Sequence, residues 1–323
     1  MGRWIGIALA AVLPAATPAG CSTAPEAHGR NLGNTTTSAQ RSADRSDNPS
    51  FPLSISDAKA ILRDMRMDPK PLERPVIVAG GIFDPGIIAS GIASKLRRLT
   101  TDGDRIISVC FTGFSADTFD ECRDRLIEAI ERRFPSDNPA ETVEVDVVGF
   151  SMGGLVARHA ARPREVAGKR LNARRLFTIS TPHRGARQAG LPTWDQRTID
   201  MRAGSAFLGG LDTDLPRAEY ELYPYVRLGD MIVGQENAAP VGQTPWWVPN
   251  APFAFAHLGA GNDRRILADI ARRLRGEAPF ATHPPASLPV DAAPVRQTQE
   301  LHHSLPSRGS DRHLETYRGT DGL

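Results

Sequence analysis

The stretch Val143 to Arg158, VEVDVVGFSMGGLVAR, constrains this chain more than any other. Val143, Val145, Val147 and Val148 make a β-branched apolar run that reads as a buried strand, and the run ends in Gly149-Phe150-Ser151-Met152-Gly153, a G-x-S-x-G pattern. Met152, Leu155, Val156, His159 and Ala160 then recur at helical spacing until Arg162-Pro163 stops the helix. A strand that bends this sharply into a helix leaves no room for side chains two residues either side of the serine, hence Gly149 and Gly153. The bend pushes the Ser151 hydroxyl beyond the sheet edge, where the first helix amide, that of Met152, is set to stabilise an oxyanion. A bare G-x-S-x-G arises by chance in many sequences. The strand before it and the helix after it weigh against an ordinary glycine-rich turn.

The 323 residues, 40% hydrophobic and 24% charged, suffice for one full core, which we place at residues 51–276. Residues 1–20 read as an export signal, with Arg3 as a short basic start and Trp4 to Leu13 apolar but too short to span a bilayer. Pro18-Ala19-Gly20-Cys21 is similar to a bacterial lipoprotein signal, which makes Cys21 a candidate for lipidation and membrane anchoring. Simple secretion, with cleavage among the alanines, is the alternative, so the expected location is the periplasm or outer membrane as a lipoprotein, or the exterior. Residues 21–50 are poor in large apolar side chains and read as a flexible linker, and 277–323 as a disordered tail. Cys110 and Cys122 fit either a disulfide or two buried thiols. A net charge of +2 gives no preference for polyanions. The arginines between Arg158 and Arg175 have no aromatic residues among them, so a solvated face is expected rather than a nucleic-acid surface.

Strand and helix signals alternate along the domain. Helices are expected at Ser54 to Met67, Ile87 to Leu99, Phe119 to Phe134 and Asn262 to Leu274, and strands at Val76 to Ala79, Arg105 to Phe111, Arg174 to Ser180, Tyr223 to Leu228 and Phe253 to Ala256. This alternation predicts an α/β fold, a mainly parallel sheet with helices on both faces. Residues 186–222 are too long for an ordinary loop and are expected to form a cap or lid, and Met231 to Pro252 to be irregular. Ligands of such sheets bind beyond the carboxyl ends of the strands. Gly80-Gly81-Ile82, Ser151, Asp230 and His257 all fall at such ends.

A serine alcohol needs a base within hydrogen-bond reach and a third group to orient that base. Among eight histidines, His28, His283, His302, His303 and His313 lie in the ends, and His159 lies two turns down the elbow helix. His183 precedes every good acid candidate and is expected to have a structural role near the site. His257 remains as the base. Asp195, Asp200, Asp212 and Asp214 belong to the cap and Asp263 and Asp269 to the last helix, which leaves Asp230, after a strand, as the acid. Its competing reading is a plain Gly-Asp turn.

GFSMGGLVAR, TISTPHRGA, RLGDMIVGQENAAPVG and AHLGAGNDRRIL together resemble the bacterial lipase and esterase branch of the α/β-hydrolase superfamily, including proteins similar to GPI inositol-deacylases. The resemblance covers roughly Pro75 to Leu274. It implies an α/β-hydrolase fold, Ser151 as nucleophile, Asp230 as acid, His257 as base, and the amides of Ile82 and Met152 as oxyanion donors. Relatives often carry His-Gly where this chain has Gly80-Gly81, and the histidine of their TPHRG segment is not the base.

The expected function is a serine-dependent carboxylic ester hydrolase that needs neither cofactor nor metal, since no His, Cys or Asp cluster has ligand spacing. The cap-sized insertion with Trp194, Phe207, Trp246 and Trp247 favours lipid esters, although core packing is the commoner fate of such rings. Acyl transfer, amide cleavage or polyester depolymerisation by the same residues, and a non-catalytic envelope binding protein, are the alternatives.

Overall fold

Six short apolar runs pair side by side, all in parallel: β1 (Val76–Ala79), β2 (Ile106–Val109), β3 (Val145–Phe150), β4 (Ala173–Ile179), β5 (Glu221–Arg227) and β6 (Trp246–Val248). Their order is β2-β1-β3-β4-β5-β6. The computed structural model describes residues 53–82, 84–111, 117–163, 168–251, 254–284 and 287–289; the export signal, the linker and Cys21 lie outside the described residues.

Successive strand residues face opposite sides. Val76, Val78, Val148 and Phe150 join one core cluster, and Ile77, Ala79, Val145 and Val147 the other. Both faces are therefore buried, which is why these strands read as continuous apolar runs. On the first face lie α1 (Ile55–Met67), α2 (Ile87–Arg97) and α8 (Arg264–Leu274). On the second lie α3 (Phe119–Arg133) and α4 (Met152–Ala160). Local chemistry fixes their starts: Ser54 Oγ accepts from the Asp57 amide at 3.1 Å before α1, and Thr118 and Glu121 form a reciprocal capping box at α3. Phe119, Cys122, Leu126 and Ile130 are the buried stripe of α3, as their spacing predicts.

The segment between β4 and β5 holds α5 (Gln196–Asp200) and α6 (Ala206–Asp214). Leu208 and Leu211 of α6 join the second core cluster, and Phe207 stacks on Phe119 with ring centroids 4.0 Å apart. The insertion thus extends the layer made by α3 and α4.

Several expectations need correction. Among the described residues the final strand is Trp246–Val248, inside the stretch expected to be irregular; of the strand expected at Phe253 to Ala256, Phe253 lies outside the described residues and Ala256 opens a short helix, α7 (Ala256–Ala260). The arginine-rich stretch is not simply a solvated face. Arg158 is fully buried and donates to Leu211 O at 2.8 Å and Asp212 Oδ1 at 3.1 Å, while Arg175 pairs with the buried Asp146 at 2.6 Å. Past Gly276, Phe280 packs on the first cluster and its amide donates to Asp269 Oδ1 at 3.0 Å. Cys110 and Cys122 are free thiols, and burial raises the pKa of Cys122 to about 11.

Candidate active site

Winding reverses between β1 and β3, so the chain leaves these neighbouring strands toward opposite faces and opens a crevice at their carboxyl ends. Ser151 stands there, between β3 and α4, with φ 52° and ψ −127°. A side chain in the positive-φ region costs about 1–3 kcal/mol and persists only where its surroundings enforce it. The enforcement is visible in the flanking glycines. A Cβ on Gly153 would lie 2.3 Å from Ala79 O, and one on Gly149 would lie 2.5 Å from the Gly154 Cα. Helix and strands approach too closely for any other residue.

Asp230 follows β5 and His257 sits in α7. Asp230 Oδ2 lies 2.9 Å from His257 Nδ1, and His257 Nε2 lies 3.1 Å from Ser151 Oγ. The carboxylate only accepts, so Nδ1 carries a proton, and in the neutral imidazole Nε2 then accepts from the serine hydroxyl. The second carboxylate oxygen of Asp230 accepts from the amides of Ile232 and Val233, each at 3.0 Å. Burial alone would raise the pKa of Asp230, and it is the largest single influence. The bond and charge of His257, the Val233 amide and the Ser180 hydroxyl together outweigh it and hold the carboxyl below its ordinary range. Asp230 is sealed at 1% exposure, whereas Ser151 and His257 each keep 8%, so the series reaches the surface at its serine end. The Phe150 ring lies 5.3 Å from the imidazole, centroid to centroid, tilted by 49°.

Met152 heads α4, and Ile82 lies on the loop after β1. The backbone of that loop runs against the serine: a Cβ on Gly81 would sit 3.2 Å from Ser151 Cβ. Buried Asp84 fixes the loop by accepting from Gly86 and Ile88 at 3.0 Å and from Ala89 at 2.8 Å.

His159 and His183 bond elsewhere. His159 bonds Asp120 at 2.8 Å. His183 is fully buried: Arg158 donates to its Nδ1 at 3.0 Å, so Nε2–H faces Thr178 Oγ1 at 2.9 Å. Three features escaped the sequence reading. Ser180 is a second non-glycine residue at positive φ, 49°, and its hydroxyl neighbours Asp230. Gly154, visible as the second half of a Gly-Gly pair, is required because a Cβ there would lie 2.2 Å from Thr181 Oγ1. Asp84 had a signal too, in the Asp-Pro-Gly that precedes α2.

An all-parallel sheet with a serine on the sharp turn from β3 into α4, Asp230 just after β5 and His257 in α7 beyond β6 is the α/β-hydrolase fold. In sequence, residues 108–191, from β2 into the insertion, match the family described as PGAP1-like alpha/beta domain. No curated protein matches the chain. Among solved structures, it is similar to phospholipase PlaB from Legionella pneumophila in complex with thio-NAD, at 14% identity over 48% of this chain and 37% of that one, with a TM-score of 0.37. It is also similar to the lin2722 product from Listeria innocua, at 13% identity over 62% and 92% of the two chains, with a TM-score of 0.45. A third is Bacillus licheniformis lipase BlEst2 in its propeptide form, at 14% identity over 68% and 53%, with a TM-score of 0.43. The chain therefore spans little more than a third of the Legionella phospholipase, 37%.

Proposed function

We propose that the protein is a serine-dependent carboxylic ester hydrolase. The observation that supports this best is the unbroken hydrogen-bonded series from Ser151 Oγ through His257 to Asp230, with contacts of 3.1 and 2.9 Å. Ser151 Oγ attacks the ester carbonyl while His257 Nε2 takes its proton, and Asp230 stabilises the imidazolium so formed. The resulting oxyanion is received by the amides of Met152 and Ile82. Collapse breaks the bond to the alkoxy group, which leaves as the alcohol with the proton from His257. Water then enters by the same route, giving the free acid and restoring the serine.

Within this reading the favoured substrates are esters with an apolar acyl chain. Phe207, Trp246 and Trp247 are spent on packing, but Trp194 is 99% exposed. Other exposed apolar side chains accompany the site loops: Ile87 begins α2, Met231 adjoins Asp230, and Phe255 and Leu258 flank His257. Leu191 joins them, since Gln188 donates to Ile232 O at 3.2 Å and brings its turn beside the Asp230 loop. Hydrolysis of p-nitrophenyl esters of increasing acyl length tests this. Rates should rise from acetate to medium chains and vanish in Ser151→Ala; cleavage of acetate alone would remove the preference for lipids. The reading also takes the first residues as an export signal, which mass spectrometry of the mature N-terminus checks by finding either a modified Cys21 or a cleaved free end.

A further inference from the structure

The turn after β4 reaches the nucleophile through an atom outside the series just described. Thr181, fully buried, donates from Oγ1 to the Ser151 carbonyl oxygen at 2.8 Å. The same oxygen accepts from the Gly154 amide at a longer 3.2 Å, while the Ser151 amide is held by Ile179 O at 2.9 Å. Resting on the ester-hydrolase reading, we propose that Thr181 is a positioning residue that aims the oxyanion donor of the elbow.

Planarity of the peptide bond ties the two groups together. The Ser151 carbonyl and the Met152 N–H belong to one trans peptide unit and point in opposite directions, so whatever holds the oxygen also sets the direction of the amide. At a helical N-cap the carbonyl ordinarily bonds along the helix axis, and its ψ is free to follow. Here ψ is −127° at a residue already strained by a φ of 52°, and the one intrahelical bond is the longer of the two. The Thr181 hydroxyl supplies the shorter bond from outside the helix, from the neighbouring strand end. Its geometry is itself fixed: the threonine fills the space that a side chain on Gly154 would need, with Oγ1 and Cγ2 at 2.2 and 2.8 Å from where that Cβ would lie. Elbow and turn are thus fitted to one another. Loss of the hydroxyl frees the peptide plane to rock, and an amide tilted away from the developing charge stabilises the transition state less while substrate binding is unaffected.

The test compares wild type, Thr181→Val and Thr181→Ser on a p-nitrophenyl ester, with a trifluoromethyl ketone as the mimic of the oxyanion. Thr181→Val keeps the shape and loses the donor. It should lower kcat roughly tenfold or more with KM within about twofold, and weaken the ketone by the same factor as kcat. Thr181→Ser keeps the hydroxyl and should remain within about threefold of wild type in both readings. The proposal is overturned if Thr181→Val retains kcat and ketone affinity, or if Thr181→Ser falls as far as Thr181→Val, which would mean that packing alone matters. The serine variant decides the matter should the valine variant not fold. Failure of the underlying reading looks different, because wild type itself would then not cleave the ester, or Ser151→Ala would cleave it equally well.

Discussion

Asp230 spends its two oxygens differently, one on His257 Nδ1 and the other on the Ile232 and Val233 amides. An asparagine there retains acceptor capacity but not charge, and its amide nitrogen invites the wrong imidazole tautomer. Asp230→Asn should therefore lower kcat by about 10³–10⁴-fold with little change in melting temperature, as steady-state kinetics and calorimetry will show. His183 makes a separate prediction. Burial first, then the charges of Arg158 and Arg184, holds its pKa well below the ordinary value of 6.5. Above pH ~6.5 the imidazole is neutral in both folded and unfolded chains, so its contribution to stability is complete. As the pH falls below that value the unfolded chain takes up a proton that the native one refuses, and stability declines by up to about 1.4 kcal/mol per pH unit. Urea denaturation from pH 7 to 5 should show this slope reduced in His183→Gln. An unchanged slope would assign it to other groups.

Elements differ in how clearly the sequence announced them. The elbow was legible because one short stretch carries an apolar run, two obligatory glycines and a helical repeat. Asp230 and His257 were reached by chain order and by their position after strands. β6 was missed because three residues, Trp246, Trp247 and Val248, are too few to show a period, and the Phe-Ala alternation just beyond resembled a strand more closely. Ser180 and Thr181 gave no signal, since nothing in a serine marks a positive φ and nothing in a threonine marks the carbonyl that it will meet. Glycines permit a direct test at this scale. Gly153→Ala drives a methyl to 2.3 Å from Ala79 O, whereas Gly91→Ala, within α2, meets nothing within 4 Å. The first should cost more than about 2 kcal/mol and abolish activity, and the second should stabilise by roughly 0.5–1 kcal/mol. Chemical denaturation of the two variants measures both.

Across the molecule, arginines bind the segment between β4 and β5 to the body of the domain, and Arg158 and Arg197 do so from buried positions. Arg158 joins α4 to His183 and to α6, Arg162 pairs with Asp214 at 2.5 Å, and Arg197 donates to Phe111 O at 2.9 Å. Charges between Arg158 and Arg175 therefore serve partly as internal ties, which composition alone could not distinguish from a solvated face. Arg158→Met leaves the Leu211 carbonyl and His183 Nδ1 without their donor. It should cost about 3 kcal/mol, with faster hydrogen exchange in 206–214 than in β1 and β3. Equal acceleration everywhere would show that the arginine supports the fold as a whole rather than this segment. The proposed chemistry requires Ser151, His257 and Asp230 to act together at one edge of the sheet, and reaction with a fluorophosphonate followed by peptide mapping reads this out. A single adduct on Ser151, absent in Ser151→Ala and formed far more slowly in His257→Ala, is the expected result. An unmodified Ser151, or an adduct formed as fast without His257, would contradict it.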